Sequence, residues 1–128
     1  DLPGIMLIEG DFLDPEMTTH LQTLTPGQFD LITCDMAANS TGHANTDHLR
    51  ADQLAEAVVA FMQTSLGPGG GLVMKVFSGG LGAQTLDIVK ARFHSVRHYK
   101  PAASRKNSAE LYLVAKGFYG QGKLDKTA

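Results

Sequence analysis

The sequence predicts an α/β domain with a mainly parallel sheet whose last strand runs against its neighbours. Three observations point there. Short apolar runs of strand length alternate with stretches whose apolar residues recur at helical spacing, and Gly- and Pro-rich breaks separate the two kinds. The last two strand-like runs have no helical stretch between them, so they are expected to pair antiparallel. With 128 residues, 43% of them hydrophobic, there is material for one compact core.

Ile5-Met6-Leu7-Ile8 reads as a buried strand followed by the turn Glu9-Gly10-Asp11. Asp14-Pro15 supplies an N-cap and a first helical residue, Met17, Leu21 and Leu24 recur at helical spacing, and Pro26-Gly27 stops that helix. Phe29 to Cys34 is a second strand, closed by Asp35 and followed by a polar loop over 38–47. Leu54, Ala57, Val58, Phe61 and Met62 trace one face of a second helix that Gly67-Pro68-Gly69-Gly70 ends. Gly71 to Phe77 is the third strand. Leu86, Val89 and Phe93 mark a third helix, Val96 to Tyr99 a short edge strand, and Glu110 to Lys116 the last strand.

The net charge of −2 hides a division. Residues 1–64 hold ten Asp/Glu against Arg50, a net of −9, and residues 65–128 hold ten Lys/Arg against Asp87, Glu110 and Asp125, a net of +7. Between Lys90 and Lys106 there are six basic residues, two histidines and no acid. Such a run is usually a solvated face, but contact with a phosphate backbone also requires it. Cys34, alone in an apolar run, is expected to pack as a small core residue. No run approaches membrane-spanning length, and Asp1-Leu2-Pro3-Gly4 lacks the features of a signal peptide, so a cytoplasmic protein without membrane contact is expected.

Three ionisable residues lie where a sheet would gather them: Asp35 after the second strand, Lys75 inside Val73-Met74-Lys75-Val76-Phe77, and Glu110 opening the last. Charges on buried strands are costly unless paired. The first residue of a reversed strand lies at the same sheet edge as the last residues of forward strands, and ligands of such sheets bind at that edge. Asp11, Asp35, Lys75 and Glu110 are therefore expected to converge.

Several stretches together, Glu9-Gly10-Asp11-Phe12, Cys34-Asp35-Met36-Ala37, Leu66-Gly67-Pro68-Gly69-Gly70, Met74-Lys75-Val76-Phe77, Lys100-Pro101 with Ser104-Arg105, and Ser108-Ala109-Glu110-Leu111-Tyr112, resemble in order the FtsJ-like ribosomal RNA methyltransferases. The resemblance covers nearly the whole chain. It implies transfer of a methyl group from S-adenosylmethionine to a ribose 2′-hydroxyl of RNA, with a uridine of large-subunit ribosomal RNA as the expected target, on a Rossmann-like sheet with a reversed last strand. Asp35, Lys75 and Glu110 match the last three members of the family's catalytic lysine, aspartate, lysine, glutamate set. Asp11 matches the acid at the cofactor's adenine; with the adjoining Phe12 and with Asp35 at the cofactor's border it forms the expected cofactor set. Arg97, Lys100, Arg105 and Lys106 are the expected RNA contacts, on ribosomal RNA or the large ribosomal subunit.

The chain departs from the family pattern in lacking a glycine-rich cofactor loop after a first strand, an acid for the cofactor ribose, and the first catalytic lysine. Residues 1–118 are accordingly expected to be the carboxy-terminal portion of one methyltransferase domain lacking its first two strands, with 119–128 a flexible tail. A full-length protein is expected to be monomeric and active. The chain as it stands is expected to be inactive and prone to pair its open strand edge with another copy.

Each residue also has a plainer reading. Lys75 could snorkel to solvent, Asp35 and Asp11 could be turn acids, and Glu110 a solubilising charge on an edge strand. Two other functions stay open: a non-catalytic RNA-binding or self-associating module, and metal-dependent hydrolysis through Asp35 and the loop bearing His43, Asp47 and His48. The histidines lie five apart without a recognised ligand motif, so no metal is expected.

Overall fold

The structure, a computed structural model, describes residues 3–24, 28–35, 44–77, 81–100 and 110–120, with the side chains of residues 44–48, 77 and 110 outside that set. Its elements are α1 (Pro15–Thr23), β1 (Phe29–Cys34), α2 (Ala44–Ser65), β2 (Leu66–Phe77), α3 (Ala83–Arg92), β3 (Phe93–Tyr99) and β4 (Glu110–Phe118). The four described strands form one sheet in the order β1-β2-β4-β3. β1 and β2 are parallel, and β4 is antiparallel to both β2 and β3. The sheet is therefore mixed. The β2–α3–β3 crossover skips one position, and β4 fills it from the opposite direction.

Local chemistry explains most of the elements. The Glu16 N–H donates to Asp14 Oδ1 (3.0 Å), and Pro15 occupies the first turn of α1, where a missing N–H costs nothing. In α2 the expected stripe is in place: Val58, Phe61 and Met62 are buried, with Val59 beside them. The glycine run stops α2 at Ser65, but the chain enters the sheet at once. Phe29 pairs with Leu66 and Leu31 with Gly71, so the Gly67 to Gly70 excursion is extra chain on β2. Gly69 takes φ +82, where a side chain would be strained, and a Cβ on Gly70 would lie 2.9 Å from the Gly67 carbonyl oxygen, so both positions favour glycine.

Three expectations are corrected. Ile5 to Ile8 is not a strand; Ile5, Met6 and Leu7 are 64%, 69% and 89% exposed. A strand is completed by a neighbour's backbone, and among the described residues none pairs with this segment. α2 begins at Ala44, inside the stretch expected to be loop. Phe93 belongs to β3, not α3: the chain passes from helix to strand at Arg92/Phe93 with no connecting loop, and Phe93 takes φ −126, ψ 148.

The sheet has two unlike faces. Leu72, Met74 and Val76 of β2 with Leu113 and Ala115 of β4 point into a core closed by Val58, Val59 and Met62 of α2 and Val89 of α3. On the other face the register sets residues in rows. Leu31, Gly71, Lys116 and Ser95 form one, Thr33, Val73, Val114 and Arg97 the next, and Lys75, Tyr112 and Tyr99 a third. None of these joins the core cluster. The core packing of α2 and α3 places both helices on one face.

Strict alternation would put Phe118 beside Lys116 on the open face. Gly117, at φ +75, breaks the alternation, and Phe118 packs in the core with its ring centroid 5.3 Å from that of Phe93. A Cβ on Gly117 would lie 2.9 Å from the His94 Cβ. Gly117→Ala is expected to cost about 1–2 kcal/mol or more, from left-handed backbone strain plus this contact. Urea denaturation checks it: an unchanged midpoint would show that the backbone relaxes freely there.

Beyond the expected strand end, the Tyr119 N–H donates to the Arg92 carbonyl (3.0 Å) and Gly120 is buried against Pro68. No described helix is long and apolar enough to cross a membrane.

Candidate active site

The parallel strands β1 and β2 end side by side, with Cys34 opposite Met74. The next position on each strand carries a charge. Asp35 leaves β1 into solvent, and Lys75 lies on the open face with apolar residues on both sides of it in sequence. Their side chains meet, Lys75 Nζ lying 3.3 Å from Asp35 Oδ1. The side chains are unequally exposed, 24% for Lys75 and 67% for Asp35, so the lysine is partly desolvated while the acid keeps its water. Burial of both was expected, and the open face is the reason Asp35 escapes it.

β4 delivers the third residue of the trio. Because it runs against β2, its first residue Glu110 pairs with Phe77, and Tyr112 pairs with Lys75. Glu110 therefore occupies the row directly beyond Lys75; its side chain is outside the described set. Tyr112 is a site residue the sequence reading passed over. Its ring centroid lies 6.0 Å from Lys75 Nζ, at the outer limit of a cation–π contact. Its spacing, two residues after Glu110 on one strand, was the available signal.

Asp11 stands in the turn before α1. The Leu13 N–H donates to its Oδ1 (3.0 Å), and the Asp14 N–H to its carbonyl (3.0 Å), so it serves as a turn acid, as the plainer reading has it. The carboxylate is exposed and keeps acceptor capacity beyond one bond. Phe12 is partly buried, its ring edge-on to Phe61 of α2 at 5.5 Å, which anchors the turn to the core. Cys34 is likewise partly buried against the core.

Of the basic set, Arg97 lies on the open face one row behind Lys75 and two strands across, and Lys100 follows β3 as an exposed residue. Arg105, Lys106 and His43 lie outside the described residues, and the side chains of Asp47 and His48 do too. Among the described residues no group of three or more His, Cys, Asp or Glu side chains is placed to hold a metal.

The sequence matches the FtsJ-like methyltransferase family over residues 1–118. It is 52% identical over 124 residues to the ribosomal RNA large subunit methyltransferase E of Granulibacter bethesdensis, covering 97% of this chain and 54% of that protein. The Xanthobacter autotrophicus protein of the same name is 47% identical over 126 residues, covering 98% and 50%. A crystal structure of a ribosomal RNA methyltransferase from Plasmodium falciparum aligns with a TM-score of 0.73 at 26% identity, over 94% of this chain and 68% of that one. The chain spans about half the length of the curated relatives it matches and corresponds to their carboxy-terminal portion. With the match running through both strand ends that carry the ion pair, the chain belongs to the FtsJ-like methyltransferase family.

Proposed function

We propose that this chain carries the acid–base residues for methylation of a ribose 2′-hydroxyl in RNA, the target being a uridine of large-subunit ribosomal RNA and the methyl donor S-adenosylmethionine. The observation that carries the reading is the Lys75–Asp35 contact at the carboxyl ends of β1 and β2, with Glu110 starting β4 one row beyond.

The residues suit this donor. When bound, S-adenosylmethionine supplies an activated methyl group on a cationic sulfur. Asp35, a solvent-facing carboxylate at a strand end, is complementary to positive charge, and Asp11 offers a second exposed acceptor. Lys75 would accept the hydroxyl proton. A lysine is ordinarily protonated near neutrality, with a pKa of about 10.4, so it can act as base only when a neighbouring cation or further desolvation lowers that value. Asp35 favours the ammonium that forms and holds Nζ in place, which is an orienting role. Glu110 would contact the ribose, a role that rests on its match to the last member of the family's catalytic set. Arg97 and Lys100, with Arg105 and Lys106, would hold phosphates.

The test uses the chain joined to the amino-terminal half of the Granulibacter relative, incubated with large ribosomal subunits and methyl-labelled donor. Label is expected in ribosomal RNA at a linkage that resists alkali, because a methylated 2′-oxygen cannot attack the adjacent phosphate. Label on a base, or none, would overturn the reading.

A further inference from the structure

We infer that Tyr99 is an RNA-binding residue whose ring carries a base, that of the nucleotide next to the one whose ribose lies at Lys75. The inference rests on the reading of the chain as an RNA 2′-O-methyltransferase. It adds a contact to a base where Arg97 and Lys100 would hold phosphates.

The register builds one row near the sheet edge where β1 and β2 end. Lys75 pairs with Tyr112, and Tyr112 with Tyr99, so the three lie side by side. Tyr112 is partly buried, its ring centroid 6.0 Å from Lys75 Nζ. Tyr99 ends both the row and β3, and it is 49% exposed. It lines a shallow hollow with Arg97, Val114 and Lys116, so its side chain faces the open side of the sheet. Two strand spacings, about 10 Å, separate it from Lys75. With the target 2′-oxygen at Lys75 Nζ, the target's own base reaches Tyr112, and Tyr99 is left for the neighbouring base.

The surroundings of the ring favour a base as its occupant. Arg97 precedes Tyr99 by two residues on the same face, and Lys100 follows it as an exposed residue. Aromatic and basic residues interleaved in this way suit single-stranded RNA, whose bases can be splayed onto rings while its phosphates are held. Every base has a π-face, and a stack on an aromatic side chain contributes about 1–3 kcal/mol whatever the base. A role in strand pairing alone explains less. A cross-strand aromatic pair contributes only about 0.2–1 kcal/mol to a sheet. Phe93 and Phe118 already tie β3 to β4 in the core, with ring centroids 5.3 Å apart. A β-branched residue would serve an edge strand as well, and it offers no flat surface.

Kinetics and fluorescence test this on the chain joined to the Granulibacter amino-terminal half. With large ribosomal subunits as substrate, Tyr99→Ala should raise KM at least about fivefold and leave kcat within about twofold, as expected for one lost stack. Tyr99→Phe should keep the parent KM and Tyr99→Leu should not, which separates a flat ring from a hydroxyl or merely apolar contact. The chain holds no tryptophan, so Tyr99→Trp adds a fluorophore whose emission is read against the parent protein. A short oligouridine should quench that emission, and the same backbone with abasic positions should quench it several-fold less. An unchanged KM in Tyr99→Ala, a phenylalanine as poor as alanine, or equal quenching by the abasic strand would overturn the inference. Quenching is read without methyl transfer. Ribose labelling by a protein without base-dependent quenching would sink the stack alone. Base-dependent quenching by a protein that places no label on ribose would uphold the contact and sink the methylation reading.

Discussion

Lys75→Ala, in the chain joined to an amino-terminal half, is expected to lower methyl transfer about 10²- to 10⁴-fold, the usual contribution of a positioned acid–base group. The companion variant decides why. Lys75→Arg keeps a cation beside Asp35 but cannot lose its proton, so it should be as inactive as alanine if Lys75 takes the hydroxyl proton. If the lysine served only to pair with Asp35 or steady the ribose electrostatically, arginine would restore much of the rate. Stability should hardly move in either variant. Asp35 is 67% exposed, and an ion pair with one partner in water contributes on the order of 0–1 kcal/mol at most. A large drop in the urea midpoint for Lys75→Ala would therefore indicate a structural role and remove the basis for reading the kinetic loss as chemistry. Full transfer by Lys75→Ala would remove Lys75 from the mechanism.

The ion pair was legible in the sequence because two strand ends are cheap to locate. A run of apolar residues ending in Asp35, and another containing Lys75, specify parallel strands whose carboxyl ends adjoin, and the structure brings the two charges to 3.3 Å. Glu110 needed one more step, the direction of β4, which followed from the lack of a helix before it. The core face of α2 was equally plain, since Val58, Phe61 and Met62 repeat at the helical period. What failed was whatever depends on a partner. Ile5 to Ile8 has the composition of a strand, but pairing is a property of two segments, and only one is described. Phe93 fits the periodicity of α3 because a helix of 3.6 residues per turn and the first inward residue of a strand can claim the same position. The open face was hidden for a related reason. Apolar residues at Val73 and Val114 read as interior whatever lies above them.

Leu113→Ala should be the most damaging of the simple truncations, at about 2–5 kcal/mol. Leu113 is fully buried on β4, flanked by Met74 of β2 and His98 of β3, so its side chain bridges the two parts of the sheet that the crossover separates. Domains of this kind are stable by only about 5–15 kcal/mol, so the loss is a large share of the whole. Urea unfolding should show the midpoint falling with the slope preserved, which is the signature of lost packing in an otherwise unchanged native state. Val114 is the natural control, adjacent in sequence yet on the opposite face and only partly buried. In the 128-residue chain Val114→Ala should cost much less than Leu113→Ala. Equal costs at both positions in the short chain would mean that both faces of β4 are already covered, and the distinction between the core face and the open face would not hold.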